Sequence, residues 1–75
     1  MKRIGSIKDL GAQVRAKRKK LGYTQGFLAA YAGVSASFLS DLENGKETIQ
    51  LGKALLILHL LGMDLCVLER GRSDE

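Results

Sequence analysis

"AGVSASFLSDLENG", residues 32–45, breaks its helical pattern at Gly33 and restarts it at Ser35. Serine is a preferred N-cap, and Leu39 and Leu42 follow at helical spacing with Phe38 beside them, so Ser35 opens a helix with one buried stripe. Asn44-Gly45 closes it, because both residues tolerate left-handed backbone. On the other side of the break, "TQGFLAAYAG" (24–33) reads as a helix of barely two turns. Thr24 caps it, Leu28, Tyr31 and Ala32 face inward, and Gly33 stops it. So short an interruption in so short a chain sets the angle of the second helix relative to the first.

Working outward, "SIKDLGAQVRAKRKKLG" (6–22) predicts a longer helix. Ser6 is its cap, Asp9 lies in its first turn, Ile7, Leu10, Val14 and Leu21 form its inward stripe, and Gly22 ends it. "TIQLGKALLILHLLG" (48–62) predicts a fourth helix capped by Thr48, with Leu51, Leu55 and Leu58 at helical spacing. That segment is apolar nearly all round and needs cover on several sides. After Gly62, "MDLCVLE" alternates Met63, Leu65 and Val67 with Asp64, Cys66 and Leu68, which is the rhythm of a strand. A strand needs a partner. The chain offers no second one, so the same segment of another copy, related by a two-fold axis, is the expected partner. An irregular tail packed on helix 4 is the alternative. The expected fold is therefore all-α, about four helices in one domain over residues 1–75, with a core at 6–61. A dimerising strand at 63–69 carries Met63, Leu65, Cys66, Val67 and Leu68, and a loose tail occupies 70–75.

Composition narrows the function. Seventy-five residues with 45% apolar content and no proline support one modest helical core that a second subunit would help complete. One cysteine excludes an internal disulfide. With a single histidine, His59, there is also no Cys/His metal cluster, so neither metal nor cofactor is expected. No constellation of nucleophile, base and stabiliser is visible, and the chain does not read as an enzyme. No apolar signal core follows Met1-Lys2-Arg3, and "ALLILHLLGM" is well short of the ~20 residues a membrane span needs, so a soluble cytoplasmic protein is expected. The net charge is +4, but residues 1–25 hold eight bases and one acid whereas residues 26–75 hold four bases and seven acids. A basic arm on a nearly neutral body suits a polyanion, although solvated lysines give the same pattern.

Two short helices joined by a tight glycine turn can present the second helix to the major groove of DNA. An ordinary helical hairpin would use the same glycine. Leu28, Ala32, Val34, Leu39 and Leu42 weld the pair, with the small Ala29 at the crossing. On the outward side of the second helix, Ser37, Ser40, Asp41 and Asn44 are spaced i, i+3, i+4, i+7. With Ser35 and Ala36 ahead of them, Ser37, Ser40 and Asp41 form the edge that would meet bases. Serine donates or accepts, alanine touches a thymine methyl, and aspartate accepts from cytosine. Arg15 and Lys19 share a face of the first helix and can reach phosphate.

The stretch "LGYTQGFLAAYAGVSASFLSDLENGK" resembles the helix-turn-helix of the Xre and phage-repressor superfamily, in which "LGxTQxxLA", "GVS" and "LExGK" recur at these intervals. The resemblance spans residues 7–61. It implies a lambda-repressor-like bundle. "LGKALLILHLLGMDLCVLERG" is further similar to HipB-like antitoxins of the Y4mF type, whose fourth helix runs into a short dimerising strand.

What the resemblance implies attaches to particular residues. Gln25 would contact a phosphate from the start of the second helix, and Asn44, Gly45 and Lys46 would touch the backbone from the loop after the third, Lys46 foremost. Arg18 and Glu43 would form an ion pair bracing helix 1 against helix 3, or else remain surface charges. Relatives place glutamine, arginine or lysine on the base-reading edge, and this chain does not, so its operator is not spelled out. Phe27 stands where relatives often carry a charge, either as a partner patch or as an isolated exposed aromatic, while Tyr23 and Tyr31 are expected to pack. His59 is expected to pack or to lie at an interface. The function implied is a homodimeric repressor of a palindromic double-stranded DNA operator, acting as antitoxin to a HipA-like kinase toxin. A stand-alone regulator and a pure protein-interaction module are the alternatives.

Overall fold

A computed structural model describes residues 3–71. Met1, Lys2 and residues 72–75, which include most of the expected tail, lie outside the described residues. Four helices follow in order: α1 (Ile7–Lys20), α2 (Gln25–Ala32), α3 (Ala36–Glu43) and α4 (Leu51–Leu60). There is no strand among the described residues, and 64–69 carry no regular structure in the single chain.

The first three helices begin where a hydroxyl can cap them. Ser6 Oγ accepts from the Asp9 amide at 3.1 Å, Thr24 Oγ1 from Phe27 at 3.0 Å, and Ser35 Oγ from Phe38 at 2.9 Å. Asp9 returns the favour at α1, its Oδ2 accepting from the Gly5 amide at 3.1 Å. The break that decides the fold is made by Gly33, at φ +75°, where a side chain would be strained. Its amide donates to the Ala30 carbonyl at 3.3 Å while the Val34 amide reaches the Ala29 carbonyl at 3.0 Å. This pair of reversed bonds is a Schellman closure, and the same pair ends α1, α3 and α4.

α4 departs from expectation. Thr48 does not cap it: residues 46–49 form a turn, with the Ile49 amide donating to the Lys46 carbonyl at 3.1 Å, and the helix starts two residues later at a Gln50 whose side chain makes no cap bond. Its buried residues are accordingly Ala54, Ile57 and Leu58, whereas Leu51 is 52% exposed.

α3 is the centre, packed against α1 on one side and α2 on the other, with α4 closing on α2. Leu10, Val14, Leu28, Ala29, Leu39, Leu42, Ala54, Ile57, Leu58 and Leu61 make one core. Burial of a leucine of this kind stabilises by about 1.5–3 kcal/mol. α1 crosses the end of α3 at van der Waals limit through Gly11: a Cβ there would stand 2.2 Å from the Leu42 carbonyl oxygen. That glycine lies inside a helix and gave no turn signal, and its role was not legible from sequence.

Among the aromatic residues, the expectation of packing fails. Tyr31 is 70% exposed, not inward, because the eight residues of α2 offer their core face to Leu28 and Ala29. Phe27 is exposed but not isolated. Its ring lies 5.2 Å from that of Tyr23 and 6.3 Å from that of Tyr31, forming a ladder up the outer face of α2.

Candidate nucleic-acid interface

The outward edge of α3 begins with three exposed small residues, Ser35, Ala36 and Ser37, and continues with Ser40 and Asp41, both half-buried. Since Ser35 spends its hydroxyl on the Phe38 amide, Ser37 is the first hydroxyl on this edge without a capping role. Further along, Ser40 accepts from Asn44 Nδ2 at 3.4 Å, and Asp41 pairs with Lys46 Nζ at 3.4 Å. Both contacts are exposed, and an exposed pair of this length contributes at most about 1 kcal/mol, so Asn44 and Lys46 can exchange these partners for a phosphate. Arg15 and Lys19 are both exposed on α1.

Behind this edge lies a buried polar network. Arg18 and Glu43 are 7% exposed each, and they meet through two bonds, Nε to Oε2 at 2.6 Å and Nη2 to Oε1 at 2.9 Å. A planar fork on a carboxylate in this geometry is the strong form of the pair. Arg18 Nη1 also donates to the Tyr23 carbonyl at 2.8 Å, and Gln25 Nε2 donates to Glu43 Oε1 at 3.0 Å. Among the described residues no buried side-chain polar atom is left without a partner. Burial alone would raise the Glu43 carboxyl, but the Arg18 and Gln25 hydrogen bonds and the charges of Arg18 and Arg15 outweigh it and hold the group below its ordinary range. The hydrogen bond to Glu43 raises Arg18, against the cost of burial.

At the other end of the chain Met63 and Leu68 are half-buried, and Leu65, Cys66 and Val67 are exposed, Val67 at 93%. Leu65, Cys66, Val67 and Leu68, together with Arg3, Ile4 and Ile7, border an open groove of about 510 Å³. Leu56 and Leu60 of α4 are also exposed, and so is Leu51, for which helical spacing predicts an inward place. His59 is exposed at the end of the same helix rather than packed. Among the described residues no group of His, Cys, Asp and Glu could hold a metal ion, and no helix is long and apolar enough to cross a membrane.

Residues 14–68, most of the chain and all four helices from mid-α1 onward, match the family model described as helix-turn-helix. The chain belongs to this family. An uncharacterized HTH-type transcriptional regulator, y4mF of Sinorhizobium fredii (strain NBRC 101917 / NGR234), is 46% identical over 74 residues, covering 99% of this chain and 97% of the relative. The fold is also that of HipB in a complex with an O4 20mer (TM-score 0.83, 24% identity, 93% of this chain and 99% of that one). HipB in a HipA–HipB–O2–O3 complex matches equally well (TM-score 0.84, 24% identity, 93% and 99%). As a helix-turn-helix protein this chain is a transcriptional regulator and not an enzyme.

Proposed function

We propose that the chain is a homodimeric, operator-binding repressor that lays α3 in the major groove of double-stranded DNA and serves as the antitoxin of a HipA-like kinase toxin, repressing their shared operon. The observation that carries the DNA half is the α3 edge: a capped, uncharged N-terminal turn of Ser35, Ala36 and Ser37 projects from a core that Arg18 and Glu43 hold fixed. Ser40 and Asp41 extend the base-reading edge, while Gln25, Asn44, Lys46, Arg15 and Lys19 hold phosphates. With no guanidinium or long amide on that edge, phosphate contacts and DNA shape supply most of the affinity.

Dimerisation is supported by the apolar surface that one copy leaves uncovered, Leu51, Leu56, Leu60, Leu65 and Val67. In the dimer, residues 63–69 pair as strands about the two-fold axis and cover one another's apolar side chains. The two copies of α3 then lie about 34 Å apart, one turn of DNA. The antitoxin half rests on the likeness in fold to HipB bound together with HipA.

Titration of the purified protein against a palindromic fragment from upstream of its own gene tests the DNA half. Binding that weakens steeply with salt is expected, since each neutralised phosphate adds about one to the slope of log affinity against log salt. Co-expression with any kinase-like neighbour gene tests the other half. A stable complex and relief of toxicity are expected, and a stand-alone regulator would give neither.

A further inference from the structure

An ion pair that only braced α1 against α3 would be complete with the two bonds between Arg18 and Glu43. This one has more. Glu43 Oε1 accepts a further bond from Gln25 Nε2 at 3.0 Å, and Arg18 Nη1 holds the Tyr23 carbonyl at 2.8 Å. Both extra bonds run to the same place, the entry to α2, of which Gln25 is the first residue.

That entry is open to solvent on its outer side: a Cβ built on Gly26 meets nothing within 4 Å. The Thr24 hydroxyl is used by the Phe27 amide. The Gln25 and Gly26 amides, at the first turn, have no carbonyl partner within the helix. A primary amide carries two N–H donors, so Gln25 keeps one after its bond to Glu43.

We infer that Glu43 is a positioning residue for phosphate binding: its carboxylate fixes the Gln25 amide so that the spare N–H and the first backbone amides of α2 meet on one phosphate. The inference rests on the DNA-binding function proposed above. It gives the buried pair two outputs, one felt by the fold and one felt by the ligand. The side chain that reaches the anion is oriented from behind by an anion that the ligand never touches.

The test separates the two outputs. Arg18→Met with Glu43→Leu replaces the pair by apolar groups, leaves the net charge unchanged, and removes the acceptor that holds Gln25. Affinity for a generic double-stranded DNA fragment at low salt is measured for the wild type, this pair replacement, Gln25→Ala and the three changes together, each shown folded by circular dichroism. The pair replacement and Gln25→Ala should each weaken binding about three- to tenfold, the worth of a hydrogen bond or two, without altering the salt slope. Combined, they should weaken it no further than either alone. A pair replacement that binds like the wild type, or effects that multiply, would overturn the inference while leaving DNA binding intact. Failure of the wild type itself to bind would instead remove the function on which it stands. Should the pair replacement not fold, ¹⁵N relaxation of the Gln25 side-chain amide in the free wild-type protein decides: an amide as rigid as the backbone is expected, and a freely rotating one overturns the inference.

Discussion

The contact of α1 with α3 and the outer side of α4 are built to opposite standards. At the first, Gly11 lets two backbones touch, Leu10, Val14, Leu39 and Leu42 are buried, and every buried side-chain polar atom among the described residues is satisfied. At the second, helix α4 starts without a side-chain cap and leaves Leu51, Leu56 and Leu60 in water. One region is finished by its own chain. The other has the composition of a core and the exposure of a surface, which is what half of an interface looks like.

The finished region should break hardest. Arg18→Met leaves the Glu43 carboxylate buried without its main partner, and a loss of about 3–5 kcal/mol is expected in urea unfolding. Gly11→Ala gains helix propensity, worth up to about 1 kcal/mol, but drives a methyl into the Leu42 carbonyl. Overpacking costs about 1–3 kcal/mol, so the net change should be destabilising by up to about 2 kcal/mol. Ser35→Ala removes the cap of α3 and should cost about 1 kcal/mol, the usual price of a lost hydroxyl cap.

Acid offers a gentler break of the same region. Because the folded-state pKa of Glu43 is depressed, its stabilisation is present in full above the ordinary glutamate value near pH 4.3 and is lost as pH falls through the lower folded value. Denaturant midpoints should drop over that acid window, and Glu43→Gln should flatten the drop. The unfinished region should respond least in the isolated subunit. Leu56→Lys, on an exposed side chain, is expected to change subunit stability by less than about 0.5 kcal/mol. If α4 faces a second copy, the same change shifts sedimentation at micromolar concentration toward the monomer, and an unchanged profile would count against that face.

Local chemistry was legible, whereas of the mutual chemistry only the Arg18–Glu43 pair was in view, and that through the family resemblance. Ser6, Thr24 and Ser35 announce helix starts because a hydroxyl before an apolar run has few better uses, and the glycines announce the stops. α4 was misjudged by two residues because Thr48 has the right side chain for a cap but sits in a turn after α3. Tyr31 was misassigned because an eight-residue helix gives too few turns for periodicity to choose its inner face. The aromatic ladder was readable in the spacing of Tyr23, Phe27 and Tyr31, four apart, but taken singly the tyrosines suggest packing and Phe27 a partner patch or a lone exposed ring. Gly11 could not be read at all: its meaning is the carbonyl of Leu42, and only the folded partner reveals that. The base-reading edge, likewise, is legible as exposed small polar groups, while the operator that they favour is a property of DNA as much as of Ser37 or Ser40.

Because all four helices end in the same pair of reversed backbone bonds, each boundary is set by residues within half a dozen positions of itself. Little sequence-distant information is needed before the chain knows its segment lengths. Topologies of this kind assemble in about microseconds to milliseconds, so a newly made copy would be folded almost as soon as it leaves the ribosome.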